Sequence, residues 1–402
     1  MEIILFSIFL IATTGLVVSK DENSHLIIGR KYHHNGAQLQ SYHERKRSEA
    51  ARNGKLYDPL YPEDPLSGYF YLGESEQLFY IALETGRSDC WVLDKSYPKI
   101  GRFIQTFDYD NLNNSAVHVG EFFSHTGEFG LYGEAYSDII KVFYPANQTF
   151  GSVTGTYGDF YDPLFDDFIS GALGLSYNPA LKDEPITADS APVLNILNTL
   201  PDRPRIYSLA VGANDTSGRM SWAVITFGKN LDELCDFNSL ATIPLTFDVI
   251  LDTLIFQLDS FAIGDKLIDG DLAVVDSGLS IILVPWKTFD IIYSTIRPDF
   301  DYQTGVYTTD CSNRSKLDDF VFTVGGVELR IPSTDYVVDL DLESGKCVVK
   351  FSVTNAFTAP YALGTPFLYQ YCTTWSVEDT TISFKNYLPD TSVAEFAKEH
   401  DA

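Results

Sequence analysis

Two short segments of the sequence carry a carboxylate, a hydroxyl group and a glycine in the same order. They are Glu84-Thr85-Gly86 and Asp276-Ser277-Gly278. Two carboxyl groups brought face to face cannot both ionise, so such a pair shares one proton. One carboxylate can then activate a water molecule as a base while the other protonates or polarises a carbonyl group. The pair therefore predicts acid–base attack of water on a carbonyl compound.

A second repeated element follows each segment at nearly the same distance. An Ala-Leu-Gly run ends at Gly174, 90 residues after Glu84, and another ends at Gly364, 88 residues after Asp276. Both segments follow three apolar residues, and both have a serine two residues after the glycine, which is Ser280 in the second copy. The pattern indicates a duplicated β unit, in which a strand ends in a turn that presents the carboxylate and glycine permits close backbone approach.

Most elements that would position these residues are strands. Short runs rich in β-branched and aromatic residues recur along the chain between Gly, Pro, Asn and Asp, which is typical of a multi-stranded β protein. Helical spacing of apolar residues occurs chiefly in residues 191–200 and 285–296. Gly325-Gly326 fits a hairpin turn better than a phosphate-binding loop.

Charge is distributed unevenly along the 402 residues. The formal net charge is −27, which opposes binding to nucleic acid. Residues 20–56, however, hold eight basic and four acidic side chains and four of the seven histidines. This segment is either a disordered basic tail or a cationic pro-segment that docks on the acidic body of the protein. A docked segment would be released in acid, as carboxylates lose charge and histidines gain it.

The N-terminus has the character of a targeting signal. Residues 3–18 are apolar or small and uncharged, a run too short for a confident membrane span, so residues 1–19 are predicted to be a secretory signal peptide. No later stretch of 18 apolar residues occurs, so once the signal peptide is removed the mature protein is expected to be soluble and secreted or lysosomal. Four sequons are expected to carry glycans: Asn113, Asn147, Asn214 and Asn313.

The cysteines and histidines do not form a metal-binding pattern. The five cysteines lack CxxC spacing, which argues against a zinc ribbon or a thioredoxin motif, and an oxidising compartment predicts two disulfides and one free cysteine. The acidic residues within 159–167 fit no calcium loop, and His118 and His125 alone do not define a metal site. We therefore expect neither a metal ion nor a cofactor.

From about Ser67 to about Tyr387 the chain resembles the pepsin-like aspartic peptidases. The matching segments are 68–73, 84–92, 169–177, 276–285 and 363–371. The resemblance implies a mainly β, bilobal fold of two pseudo-symmetric β-barrel-like lobes with a central cleft and a hairpin flap. The implied organisation is a signal peptide at 1–19, a basic pro-segment at 20–62, an N-terminal lobe at 63–203, a C-terminal lobe at 204–388 and a tail at 389–402.

The resemblance also assigns roles to individual residues. Glu84 and Asp276 would be the catalytic pair, and the residues supporting them would be Thr85, Gly86, Ser277, Gly278 and Ser280. The flap, within about residues 119–137, would carry Ser124, His125, Thr126 and Gly127. A Cys311–Cys347 disulfide is usual in the family, and some invertebrate members suggest Cys235–Cys372 as a second, which would leave Cys90 buried beside Trp91.

Several residues around the expected site depart from the family pattern. Glu84 stands where the family has Asp, which lengthens the side chain by one methylene group. Arg87 and Leu279 replace hydroxyl residues, Ser124 stands at the position of the flap tyrosine, and Ser170 replaces an aspartate. The resemblance therefore implies a monomeric zymogen of an acid endopeptidase acting on peptides or proteins, and the alternative is an inactive relative that binds a peptide or protein partner in the same cleft.

Overall fold

A computed structural model describes most of the chain beyond the N-terminal region. The described residues are 26–32, 66–98, 105–111, 115–126, 129–142, 145–157, 169–213, 220–301, 306–339, 345–354 and 361–400. Strands dominate them, as the sequence predicts. The predicted signal peptide, the acidic loop within 159–167, and the candidate residues Asn113, Asn214 and Gly127 lie outside these ranges.

Twenty-seven strands are present in the described part of the chain. The first ten are β1 Leu26–Tyr32, β2 Ser67–Leu72, β3 Gln77–Glu84, β4 Cys90–Leu93, β5 Val117–Thr126, β6 Phe129–Lys141, β7 Pro145–Tyr157, β8 Gly171–Gly174, β9 Ile206–Ala213 and β10 Met220–Phe227. The next nine are β11 Ala241–Pro244, β12 Thr246–Asp248, β13 Thr253–Gln257, β14 Ser260–Ile263, β15 Lys266–Asp269, β16 Leu272–Val275, β17 Ile282–Val284, β18 Asp299–Asp301 and β19 Val306–Asp310. The last eight are β20 Phe320–Val324, β21 Val327–Ile331, β22 Val337–Val338, β23 Lys346–Val349, β24 Phe351–Val353, β25 Tyr361–Leu363, β26 Tyr371–Ser376 and β27 Thr381–Asn386.

Helices are few and short within the ranges given above. They are α1 Pro192–Asn198, α2 Trp286–Ile296, α3 Ser333–Tyr336, α4 Thr365–Leu368 and α5 Val393–His400, with 3-10 turns at Pro179–Leu181 and Cys311–Asn313. The two predicted helical segments correspond to α1 and α2. Helix α2 buries Phe289, Ile292 and Ile296 on one face and ends where Arg297 adopts a left-handed conformation.

The strands form four sheets. The largest has thirteen strands in the order β11-β27-β26-β9-β10-β1-β2-β3-β8-β4-β7-β6-β5, so it joins the N-terminal strands to the last strands of the chain. The C-terminal half adds a six-stranded sheet, β12-β13-β16-β25-β17-β24, and two sheets of four strands. A continuous apolar core packs against all of them and includes the stacked rings of Tyr207 and Trp375, whose centroids are 4.8 Å apart.

The internal repeat predicted from the sequence consists of two sets of four strands that pair in the same order and directions. In the first copy β3 runs parallel to β8, β8 runs antiparallel to β4, and β4 runs parallel to β7. In the second copy β16, β25, β17 and β24 pair in the same senses. Each Ala-Leu-Gly run therefore pairs with the apolar strand that ends at the carboxylate, with Leu83 opposite Leu173 and Val275 opposite Leu363.

The hairpin turn expected at Gly325-Gly326 joins β20 to β21, and both glycines have positive φ angles that favour glycine. The flap hairpin consists of β5 and β6, which are paired from Val117 to Ser137 and extend slightly beyond the range expected from the sequence. Residues 389–402, expected to be a tail, instead contain helix α5, whose Val393, Ala394 and Ala397 are buried against β9 and β10. Burial of this apolar face explains why the helix packs against the sheet.

Two disulfides stabilise the C-terminal half. Cys311 is bonded to Cys347 and Cys235 to Cys372, which are the pairings that the resemblance implies. Cys90 is free and buried, and burial raises the pKa of its thiol. The chain therefore keeps one cysteine as a protonated, apolar core residue.

Two of the sequons can be placed. Asn147 lies on β7 with an exposed side chain, which is compatible with a glycan. Asn313 is half-buried in a 3-10 turn, where its side-chain amide donates to the Thr309 hydroxyl. Within the described ranges, no helix has the length and apolar character needed to cross a membrane.

Candidate active site

The two carboxylates predicted to pair lie at corresponding ends of two strands. Glu84 is the last residue of β3, and Asp276 directly follows β16. Each strand is flanked by a parallel neighbour whose Ala-Leu-Gly run covers one side of it. The apolar residues before each carboxylate are buried, so both strands are anchored in the core and deliver their carboxyl groups at defined positions.

Reciprocal hydrogen bonds join the two turns. The Thr85 amide donates to the Ser277 hydroxyl at 3.1 Å, and the Ser277 amide donates to the Thr85 hydroxyl at 3.0 Å. Each hydroxyl also donates across the interface, from Thr85 to the Val275 carbonyl and from Ser277 to the Leu83 carbonyl, both at 2.7 Å. Because all four bonds are buried, they hold the strand ends together much more firmly than solvent-exposed contacts would.

The glycines allow the carboxyl groups to approach each other. A Cβ atom on Gly86 would lie 2.5 Å from Asp276 Oδ2, a distance that no side chain tolerates. A Cβ atom on Gly278 would lie 3.1 Å from Asp276 Oδ1 and 3.5 Å from Glu84 Cδ. Both carboxyl groups therefore lie within 3.5 Å of the position that a Cβ atom on Gly278 would occupy. The Gly278 amide also donates to Asp276 Oδ1 at 2.8 Å, which orients that carboxyl group.

The additional methylene group of Glu84 is accommodated inside the site. Glu84 is 6% exposed, whereas Asp276 is half-buried, and Glu84 Cγ would lie 3.2 Å from a Cβ on Gly278. The longer side chain thus fills space above the second glycine. Ser280, the remaining residue expected to support the pair, is buried on the chain that leaves the second turn.

Arg87 occupies the position where the family has a hydroxyl residue. Its Nε lies 3.6 Å from Glu84 Oε2, and its guanidinium group donates to both carboxylate oxygens of Asp89, at 3.0 and 3.2 Å. Burial raises the pKa of Asp89, but the charge and hydrogen bonds of Arg87 outweigh this and lower it overall. The sequence marked Arg87 as a departure but did not predict its bond to Asp89.

The flap reaches the same guanidinium group. Nη2 of Arg87 donates to the Ser124 hydroxyl at 2.6 Å, and Ser124 is only 8% exposed near the end of β5. His125 and Thr126 follow Ser124 as the last two residues of that strand. Ser124, which stands where the family has the flap tyrosine, is therefore linked to Glu84 through Arg87.

A contact between the two halves of the chain lies beside the site. The Ser88 hydroxyl donates to Asp252 Oδ2, and burial raises the pKa of Asp252. Both residues border a cavity of about 460 Å³ that is also lined by Asp89, Cys90 and Phe122. Neither Glu84 nor Asp276 lines this cavity. Nothing in the sequence near residue 252 predicts the contact, because the partners are 164 residues apart.

No metal-binding site emerges in the part of the chain that the structure describes. The one group with suitable atoms is Cys311, Cys347 and Asp339, and its two sulfur atoms are joined in a disulfide. His118 Nε2 instead lies 2.6 Å from a carboxylate oxygen of Glu134 across the flap hairpin, and both side chains are exposed.

Two topologically equivalent β units, each presenting a carboxylate and linked by reciprocal hydrogen bonds, define the pepsin-like class of aspartic peptidases. The family model described as eukaryotic aspartyl protease matches residues 67–387. The chain therefore belongs to the eukaryotic aspartyl protease family.

Similarity to individual relatives extends over most of the chain. Aspartic protease 1 of Caenorhabditis elegans is 27% identical over 339 residues, covering 81% of this chain and 82% of the relative. Probable vacuolar protease A of Trichophyton verrucosum is 27% identical over 322 residues, covering 77% and 76%. Pepsin-3 of Oryctolagus cuniculus is 26% identical over 318 residues, covering 76% of each.

Proposed function

We propose that this protein is an acid endopeptidase that hydrolyses peptide bonds through Glu84, Asp276 and a water molecule. One observation carries the proposal: both carboxyl groups come within 3.5 Å of one point, and the reciprocal bonds of Thr85 and Ser277 hold their strands in place. Names of relatives that are similar over three quarters of the chain support it.

The reaction needs one proton on the pair. The ionised carboxylate accepts a proton from the water molecule, whose oxygen attacks the peptide carbonyl carbon, while the protonated carboxyl group donates to the carbonyl oxygen. When the tetrahedral intermediate collapses, the C–N bond breaks and the departing amine takes the proton that the base accepted from water. A hydroxyl group of the intermediate returns its proton to the other carboxylate as the carbonyl forms again, so the pair keeps one proton. The pair holds this single proton only in acid, because both carboxyl groups lose their protons at higher pH. Activity is therefore expected at low pH.

One observation favours a second candidate function. Arg87 Nε lies 3.6 Å from Glu84 Oε2, and a permanent cation beside one carboxylate weakens sharing of the proton. In that case the chain would bind peptides or a protein partner in the same cleft without cleaving them.

Digestion of acid-denatured globin by the purified protein, with and without pepstatin, distinguishes the two functions. The wild type is expected to release peptides at about pH 3–4 and to be blocked by pepstatin, and Asp276→Asn is expected to lose about 100- to 10,000-fold in rate. Glu84→Asp tests the lengthened side chain, because a displacement of about 1 Å can change the rate about 100-fold. Saturable peptide binding with no cleavage by the wild type or by Glu84→Asp would establish the second function instead.

We further propose that the protein is made as a secreted or lysosomal zymogen and acts as a monomer without nucleic acid. The proposed boundaries are a signal peptide at 1–19, a pro-segment at 20–62 and lobes at 63–203 and 204–388. Strand β1, within the basic segment, pairs with β10 along seven residues, which supports a docked pro-segment rather than a free tail.

The zymogen can be tested on the full chain expressed in eukaryotic cells. The secreted protein is expected to begin near residue 20, to elute as a monomer, and to lose the pro-segment between pH 7 and pH 3.5. Asn147→Gln is expected to lower its mass by one glycan. Retention of residues 20–62 at pH 3.5, even with an acid protease added, would contradict the pro-segment proposal.

A further inference from the structure

The side chain of Arg87 contacts residues from three different parts of the fold. It lies next to Glu84 at the end of β3, bonds Asp89 in the turn before β4, and donates to Ser124 on the flap strand β5. The equivalent residue in the second unit, Leu279, packs in an apolar cluster. The two β units therefore differ in charge at this position, with a cation in the first unit and an apolar side chain in the second.

The charges around Glu84 come from several elements. Asp276 faces it from the end of β16, while Arg87 and Asp89 lie on its own unit, and Asp252 approaches Ser88 from the turn before β13. Three of these four groups are acidic, and Arg87 is the one that carries a positive charge, 3.6 Å from Glu84. Its fork-shaped bond to Asp89 fixes the guanidinium group in place, because such bidentate pairs have a defined geometry.

We propose that Arg87 is a positioning residue that keeps Glu84 ionised, so that the shared proton resides on Asp276, and that it fastens the flap above the site through Ser124. Glu84 is then the base that accepts the proton of water, and Asp276 is the acid that protonates the carbonyl oxygen. The inference rests on the proposed function, because it assigns roles within that reaction. It also predicts properties of peptide binding that do not depend on cleavage.

The charge role is tested by the pH profile of kcat/KM for Arg87→Ser, Arg87→Lys and Arg330→Ser. An arginine beside a carboxyl group lowers its pKa by about 1 to 3 units, and Asp89 shares this arginine, so we expect the smallest of these effects. In Arg87→Ser the acidic limb should therefore move up by about one pH unit, and the basic limb, which reports loss of the Asp276 proton, should move less. In Arg87→Lys, which keeps a positive charge at this position, the acidic limb should lie close to that of the wild type.

Arg330→Ser is the matched control. Arg330 is an exposed arginine on β21 that pairs with Glu328, so its loss changes the net charge equally without touching the site. Its profile should coincide with that of the wild type. Equal profiles for Arg87→Ser and the wild type, or equal shifts in both serine variants, would overturn the charge role.

The flap role is tested by Ser124→Ala. This change removes the hydroxyl group that accepts from Arg87 but leaves every charge in place. KM should rise about three- to tenfold, because an unfastened hairpin must be ordered when the peptide binds, and both limbs of the profile should stay where they are. An unchanged KM would overturn this part of the proposal.

Binding of a statine-containing peptide, measured calorimetrically from pH 2 to pH 6, separates this inference from the proposed function. If the wild type cleaves nothing, a binding profile that shifts by about one pH unit in Arg87→Ser would still support the role of Arg87. Binding profiles that coincide in all variants would contradict the inference, whether or not the wild type is active.

Discussion

The reciprocal hydrogen bonds between Thr85 and Ser277 predict strong energetic coupling between two residues 192 positions apart in the chain. Ser277→Ala removes the acceptor of the Thr85 amide and the donor to the Leu83 carbonyl, both in buried surroundings. Leaving a buried polar group without its partner costs about 1–3 kcal/mol, so two such groups should lower the free energy of unfolding by about 2–6 kcal/mol. Thr85→Val should cost a similar amount, since the same number of bonds is lost.

The double variant is the decisive measurement. Each side chain bonds the backbone of the opposite turn, so the two single changes remove different bonds. Both sets of bonds hold the same two turns together, and losing one set lets the turns move apart and weakens the other. The double change should therefore cost about 0.5–3 kcal/mol less than the two single changes combined. The assay is urea unfolding at neutral pH, followed by tryptophan fluorescence. Ser208→Ala is the matched control, since Ser208 is a buried serine that bonds Thr374 within the large sheet and should not couple to Thr85. Additive costs for Thr85→Val and Ser277→Ala would refute the reasoning.

Three further predictions concern single residues. Gly86→Ala should reduce kcat about 100-fold, because its Cβ would lie 2.5 Å from Asp276 Oδ2 and must displace that carboxyl group. Gly326→Asn should leave kcat unchanged, because the site has open space and asparagine tolerates the left-handed conformation of Gly326; a globin digestion assay compares the two. Asp252→Asn should raise stability at pH 7 but not below about pH 3.8, because burial raises the pKa of Asp252 and its charged form opposes folding above that pH; thermal unfolding at pH 3.5 and pH 7 tests the sign, and equal effects at both would contradict it. The buried, protonated thiol of Cys90 should react with a thiol reagent at pH 8 at least 100-fold more slowly in the native protein than in urea, and rapid native labelling would show that the site is accessible.

The sequence alone determined the parts of this protein that depend on local pattern. Apolar runs punctuated by turn residues predicted the strands, the repeated carboxylate–hydroxyl–glycine segments predicted the paired units, and helical spacing located α1 and α2. These predictions succeed because strand formation and glycine turns are governed by neighbouring residues. The C-terminal segment was predicted less well, since helix α5 is stabilised by packing on β9 and β10 rather than by its own sequence.

Only the tertiary structure decided how the departures from the family pattern are accommodated. The sequence showed that Glu84 is longer than the expected aspartate and that Arg87 and Ser124 replace hydroxyl and aromatic residues. It could not show that the arginine bonds Asp89 and reaches Ser124, or that Asp252 meets Ser88 from the other half of the chain. Two of these contacts join residues that are 37 and 164 positions apart, and all three depend on where the side chains point. Those directions are set by the packing of the whole sheet, and no local spacing in the chain encodes them.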